Sequence, residues 1–129
     1  MIAVDLEIPI ALEEQIRGQI RQVIARGELR VGEELPSVRQ LAADLAVHWN
    51  TVARAYRRLQ AEGLLVVRRG RGVFVRSLTR AVPRADRETR RRVLHRLRDA
   101  FADALLGGLT VAEIRKLVLN ELKRWQGPR

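Results

Sequence analysis

Cysteine is absent from the 129-residue chain, and histidine occurs only at His48 and His95. The lack of cysteine excludes disulfides, thiolate catalysis and cysteine-bound zinc, and it fits a reducing compartment. No motif pairs a nucleophile with a base, and the glycines of 70–72 lack the Gly-Lys-Ser/Thr pattern of a phosphate-binding loop. We therefore expect no enzymatic activity and no cofactor.

A metal site is not predicted either. His95, Asp99 and Asp103 recur every fourth residue, which places them on one face of a helix. Such spacing is common by chance in helices, and a metal would need further ligands that the sequence does not offer nearby.

Long apolar runs and targeting signals are also missing. No stretch approaches the roughly 20 apolar residues that span a bilayer. The N-terminus has no basic segment followed by a long apolar one, as a signal peptide would. We expect a cytoplasmic protein that does not enter a membrane.

Lysine is scarce, occurring only at Lys116 and Lys123, yet the net charge is +10 and the sequence pI is about 11.6. A balance this basic indicates a polyanionic partner, either nucleic acid or an anionic membrane surface. Arginine suits bidentate recognition of phosphate and guanine, although a GC-rich genome would produce the same bias. Hydrophobic residues make up 47% of the chain, which is enough for a packed core.

Apolar periodicity predicts helices over 10–26, 37–46 and 50–62, with a loop at 27–36 and a short turn between the second and third helices. Two β-prone runs then flank a basic glycine turn, which predicts a β-hairpin. The fold class is therefore mainly α with a small β-hairpin wing. This order is the winged helix-turn-helix arrangement, in which the second helix of the motif enters the DNA major groove.

A linker at 77–84 separates the predicted winged domain, 9–76, from a tail of two helices over 85–126. Gly107-Gly108 ends the first tail helix, and Thr110 with Glu113 matches a capping box for the second. Both helices carry apolar stripes that either fold back on the winged domain or pair with a second copy. Two isolated helices cannot hide that much apolar surface, which favours a homodimer. The residues expected at its interface are Leu94, Leu97, Phe101, Leu105, Ile114, Leu117, Val118, Leu122 and Trp125.

The spacing of several short motifs resembles the signature of GntR-family regulators. They are the run Gly27–Ala42 (GELRVGEELPSVRQLA), Asn50-Thr51-Val52, Ala55-Tyr56, Leu59, Glu62-Gly63-Leu64 and Gly70-Arg71-Gly72-Val73-Phe74-Val75. The resemblance covers about residues 9–76. Only about 50 residues remain after it, which resembles the small YtrA-type branch, whose short helical tail serves dimerisation.

The resemblance and the helix-turn-helix geometry together imply a set of DNA-contacting residues: Ser37, Arg39, His48, Trp49, Asn50, Thr51, Arg54, Arg58, Arg69, Gly70, Arg71 and Gly72. Ser37 is also predicted to cap the second helix. Asn50 and Thr51 are good N-cap residues for the third helix, and that role is compatible with DNA contact. Trp49 either packs under the turn or lies against the sugar-phosphate or a thymine methyl. Ala53 stands where some branches of the family have a basic residue, so the main base-reading residue stays open.

The leading hypothesis is a dimeric repressor that binds double-stranded DNA at an inverted repeat through helix 50–62 and the wing 68–75. The alternative is a nucleoid-type architectural protein without strong sequence preference. Residues 79–129 hold thirteen basic and six acidic side chains, so the tail carries +7 of the net +10. Its arginine-rich segment, 84–98, is either a solvated face or a source of attraction to flanking DNA. The sequence indicates no particular small-molecule effector.

Overall fold

The computed structural model describes residues 2–76 and 87–125, which belong to two compact units. The first unit contains α1 (Leu12–Ala25), β1 (Glu34–Leu35), α2 (Val38–Leu45), α3 (Trp49–Ala61), β2 (Leu65–Arg68) and β3 (Gly72–Val75), and the second contains α4 (Arg87–Leu106) and α5 (Val111–Arg124). The predicted linker, 77–84, lies outside the described residues, as do residues 85, 86 and 126 of the predicted tail.

The core of the first unit lies where α1 and α2 both pack against α3, with the sheet closing one side. Each helix contributes the apolar stripe that its sequence predicts. Burying one such aliphatic side chain stabilises the fold by about 1.5–3 kcal/mol. The fully buried large side chains are Ile16, Ile20, Val23, Val52 and Leu59. Because the core occupies one side of α3, the opposite side of that helix is left to solvent.

The sheet has three antiparallel strands in the order β1-β3-β2, so the predicted hairpin is confirmed but incomplete. The prediction that 27–36 is entirely loop is wrong, because Glu34 and Leu35 pair with Phe74 and Val73 of β3. Two residues are too few to show a strand period. Their pairing depends on a partner strand almost forty residues further along the chain, which no local pattern reveals.

Residues before α1 also pack on the first unit, although the predicted domain begins only at residue 9. The amide of the buried Gln15 side chain accepts from Asp5 N (2.7 Å) and donates to the carbonyls of Asp5 and Ile10 (2.9 Å each). Ile2 and Val4 lie against the core. A side-chain amide can pair with backbone in this way because it carries both a donor and an acceptor.

Gly18 lies in the middle of α1, where glycine lowers helix stability by roughly 1 kcal/mol relative to alanine. A Cβ added at this position meets no atom within 4 Å. We therefore expect Gly18→Ala to raise the free energy of unfolding by about 0.5–1 kcal/mol. Thermal unfolding followed by circular dichroism, at matched protein concentration, measures the change.

Gly63 provides the opposite control for this prediction. Its φ is +81°, in the left-handed region, and an added Cβ would lie 3.3 Å from Arg76 Nη1. Gly63→Ala should lower the melting temperature, because alanine is strained in that conformation. A lower melting temperature for Gly18→Ala as well would contradict the conclusion that a Cβ fits beside α1 without steric conflict.

Candidate nucleic-acid interface

The turn between α2 and α3 sets the direction of α3. Ala46 ends α2 with a left-handed backbone (φ 55°), and Val47 N donates to Ala42 O at 3.0 Å. At the other end of the motif, Tyr56 Oη donates to Pro36 O at 2.7 Å. Burial raises the pKa of the Tyr56 phenol, so the hydroxyl keeps its proton and remains a donor. These bonds hold α3 at a fixed angle across the start of α2.

The side chain of His48 caps α3. Its Nδ1 accepts the backbone N–H of Asn50 at 3.1 Å, and the helix begins at Trp49. The interpretation of Asn50 and Thr51 as N-caps is therefore wrong, because both already lie within the first helical turn. Both side chains are half-buried there, at the end of α3 that a helix-turn-helix points towards base edges.

Trp49 is the first helical residue of α3 and is 54% exposed, so it does not pack under the turn. Its indole stacks on the imidazole of His48, with ring centroids 5.7 Å apart and planes 29° from parallel. The two rings form an exposed aromatic pair at the N-terminus of the helix.

The solvent side of α3 carries Arg54 and, three residues later, Arg57. Both are exposed, and neither forms an ion pair within 2–76 or 87–125. Arg57 is not among the residues that the sequence predicts to contact DNA, although its spacing from Arg54 was a sufficient signal.

Arg58 is placed differently from Arg54. The sequence predicts that both contact DNA, but the guanidinium of Arg58 is hydrogen-bonded to Glu14 of α1 and lies 3.6 Å from Glu13 Oε1. Those carboxylates offset its charge in the free protein, and DNA contact by Arg58 stays a prediction. The Arg58–Glu14 ion pair belongs to a network of ion pairs that joins α1 to the end of α3. In the same network, Arg17 and Arg21 form ion pairs with Glu62.

The hydrogen bonds from Arg58 and Arg17 hold the pKa of Glu14 below its ordinary value of 4.5. A lowered folded-state pKa gives stability above the unfolded pKa, and that stability is lost as pH falls through the folded pKa. We expect Glu14→Gln to be less stable than the parent at neutral pH and to lose less stability on acidification. Because the carboxylate is exposed, the effect should be small. Urea unfolding at pH 7 and at roughly pH 3 measures it.

Glu33→Gln is the matched control, because its carboxylate has no ion-pair partner in the described parts of the chain. Its acid sensitivity should equal that of the parent. Equal acid sensitivity of Glu14→Gln and the parent would contradict the role of the network.

The wing presents two arginines at its tip. Arg69 and Arg71 lie in the three-residue turn between β2 and β3, are exposed, and form no ion pair with the described residues. Gly70 lies between them. Gly72 follows with φ +127°, a backbone conformation that favours glycine, and an added Cβ would lie 2.7 Å from Glu34 Oε1, so the Glu34 side chain would have to move.

The start of α2 contributes a further cation. The Ser37 hydroxyl accepts Gln40 N at 3.1 Å, which confirms the predicted N-cap. Arg39 is exposed in the first turn and has no ion-pair partner among residues 2–76.

Nine of the twelve described arginines of the first unit fall into two groups; the other three, Arg30, Arg68 and Arg76, also have no ion-pair partner among the described residues. Those that have carboxylate partners are Arg17, Arg21, Arg26 and Arg58. Those on α2, on the solvent side of α3 and at the wing tip have no such partner among the described residues: Arg39, Arg54, Arg57, Arg69 and Arg71. Unpaired guanidinium groups on these three elements can bind phosphates and guanine edges.

Comparisons with known proteins agree with this arrangement. Residues 12–75 match the family described as bacterial regulatory proteins, gntR family. A solved GntR-family transcription factor, YtrA from Sulfolobus acidocaldarius, is 38% identical, with a TM-score of 0.60 over 74% of this chain and 95% of the other. The chain belongs to the GntR family. Its first unit accordingly has the winged helix-turn-helix fold of that family.

Two further relatives define what this GntR-family chain resembles. The HTH-type transcriptional repressor YtrA of Bacillus subtilis is 37% identical over 75 residues, which are 58% of each chain. The DNA-binding domain of AraR, solved in complex with operator ORR3, is 25% identical with a TM-score of 0.50, covering 56% of this chain and 87% of the other. The match thus spans little more than half the length of the B. subtilis repressor.

The second unit of the GntR-family chain contains α4 and α5, and none of their described residues is buried. The capping box of Thr110 and Glu113 is confirmed. Seven of the predicted interface residues are exposed, and two are half-buried between the helices, Ile114 and Val118. A mainly apolar groove of about 350 Å³ lies between the helices and is lined by Phe101, Leu105, Val111, Ile114, Arg115, Val118 and Leu119. The tail thus leaves many apolar side chains exposed to solvent.

The remaining predictions concern metal and membrane. His95 Nε2 lies 3.5 Å from Asp99 Oδ2 on an exposed face of α4. Over residues 2–76 and 87–125, no three His, Asp or Glu side chains are grouped closely enough to hold a metal ion. In the same residues, no helix is both long and apolar enough to cross a bilayer.

Proposed function

We propose that the chain is a dimeric repressor that binds an inverted-repeat operator through α3 and the wing. The observation that carries this proposal is the set of arginines that α2, the outer side of α3 and the wing tip present to solvent: Arg39, Arg54, Arg57, Arg69 and Arg71 are exposed, and none has a carboxylate partner among the described residues. An evolved protein surface that keeps guanidinium groups unpaired in this way suits a polyanion.

The DNA contacts follow from that arrangement. Arg54 and Arg57 lie within the first three turns of α3, the part of a recognition helix that reaches base edges and the phosphates beside them. Arg69 and Arg71 suit the phosphates or the minor groove next to the site. The AraR domain solved with its operator supports the same use of this fold, and the similarity to the B. subtilis transcriptional repressor YtrA supports repression.

The dimer follows from the tail. Two amphipathic helices with no buried residue leave apolar side chains in water, and pairing with a second copy buries them. A twofold dimer presents two copies of α3 to two half-sites, so the operator should be an inverted repeat. We retain 85–126 as the proposed dimerisation tail and 9–76 as the proposed DNA-binding domain.

Selection from a random duplex DNA pool, at near-physiological salt, tests the proposal. The expected result is an enriched inverted repeat. Tight binding that is strongly salt-dependent but without enrichment would instead favour the architectural alternative. No binding at all would overturn the proposal.

A further inference from the structure

Trp49 is the one tryptophan of the first unit, and it stands on the surface at the first residue of α3. More than half of its side chain is exposed, and its only ring contact within 2–76 is with His48. A tryptophan buries more apolar area than almost any other side chain when it finds a partner. The exposed part of the indole is not buried in the core of the first unit, so it is available to a ligand.

His48 fixes the position of the indole. Because Nδ1 accepts the N–H of Asn50, the neutral ring carries its proton on Nε2 and cannot turn over without losing the cap of α3. The stacked imidazole therefore supports one side of Trp49, and it leaves an Nε2–H that suits a phosphate oxygen. Holding the indole in advance reduces the entropy lost on binding.

The surroundings of Trp49 narrow the choice of ligand. Indole has one N–H donor and no acceptor, so most of its surface suits an apolar group rather than a phosphate. Charged groups of DNA are better suited to the exposed guanidinium groups of Arg39, Arg54 and Arg57 on α2 and α3. At base edges in the major groove, the C5-methyl of thymine is the apolar group that a side chain meets.

We propose that Trp49 is a specificity-determining residue that packs on the C5-methyl group of a thymine in each operator half-site. This inference rests on the proposed function, since it requires that α3 enter the major groove. It adds that the base chemistry read at the N-terminus of α3 is a methyl group, and that arginines supply the charged contacts further along the helix.

Removing only the methyl group tests the proposal without changing the protein. In the operator enriched from the random pool, the thymines of each half-site are replaced one at a time by deoxyuridine. We expect one position to lose about fourfold in affinity, the effect of burying a single methyl group. Replacing both symmetry-related thymines should lose about fifteenfold, because distant sites contribute additively.

The Trp49 variants link that loss to one side chain. Trp49→Ala should bind the thymine and deoxyuridine operators equally, whereas Trp49→Phe should retain part of the difference. Val31→Ala, which shortens another half-exposed apolar side chain of the same unit, should keep the full difference. Since Trp49 contributes nothing to the core, circular dichroism of the Ala variant should match the parent.

The outcomes separate this inference from the proposed function. An enriched operator whose affinity is unchanged by deoxyuridine at every thymine would overturn the methyl contact and leave the regulator intact. An equal loss from Trp49→Ala on thymine and deoxyuridine operators, with the methyl preference retained, would assign the indole to the sugar-phosphate and also overturn it. Absence of any enriched sequence would overturn both.

Discussion

Phe101→Glu should convert the proposed dimer into a monomer and weaken operator binding roughly a hundredfold, the lower range of what linking two binding sites provides. Phe101 is 39% exposed in the single chain and lines the apolar groove between α4 and α5. In a dimer that buries this groove, the new carboxylate would be taken out of water without a partner, which is strongly unfavourable. Light scattering gives the mass in solution, and titration on the selected operator gives the affinity.

Ala102→Glu is the matched control, because it adds the same charge to the next residue, which is exposed away from the groove. It should remain a dimer and bind the operator as the parent does. If Phe101→Glu were still dimeric in light scattering, the tail would not be the dimer interface.

Arg54→Ala should weaken operator binding about tenfold to a hundredfold and relax the preference for one base pair, since a bidentate arginine contact contributes roughly 1–3 kcal/mol of discrimination. The reason is that Arg54 is exposed on the solvent side of α3 and has no carboxylate partner in the described structure. Repeating the random-pool selection with the variant measures both effects, as lower affinity and as reduced enrichment at one position of each half-site.

Arg21→Ala is the control for Arg54→Ala, because it removes the same charge from α1, where the guanidinium lies 3.5 Å from Glu62. It should leave the base preference unchanged and alter affinity only slightly. If Arg54→Ala changed neither the operator affinity nor the base preference, Arg54 would not be part of the DNA interface. Arg57 would then be the cation to test on the same face of α3.

Local patterns predicted most of the elements. The apolar stripes of α1, α2 and α3 repeat with a helical period and end at glycine or at capping side chains, so their positions were predicted to within two residues. Ser37 as a cap and the capping box of Thr110 and Glu113 were also readable, because each depends on residues three apart.

The features that the sequence did not predict depend on contacts between segments that are distant along the chain. β1 needs β3 as its partner, and the residues around Asp5 need Gln15. The same limit applied to the candidate site. Arg54 and Arg58 are one turn apart and equivalent by pattern, and only the position of Glu14 on α1 separates a free cation from a neutralised one.

The cap of α3 illustrates a different limit. Asn and Thr are statistically preferred as N-caps, so Asn50 and Thr51 were reasonable choices. Histidine at 48 took the role because its Nδ1 can accept a backbone N–H, here that of Asn50, when the ring is neutral. Because His48 is the N-cap, Trp49 is the first residue of α3, and its side chain is exposed on the surface. The apolar periodicity of the sequence did not predict this position.

The most direct test of the central claim is to compare the complete inverted repeat with a duplex that carries one half-site, measuring affinity and stoichiometry by titration and native mass spectrometry. We predict two chains on the complete repeat and an affinity for the half-site that is lower by a hundredfold or more, about the gain that bivalent binding provides. One chain per duplex, with equal affinity for the repeat and the half-site, would contradict a dimer that reads two half-sites through α3.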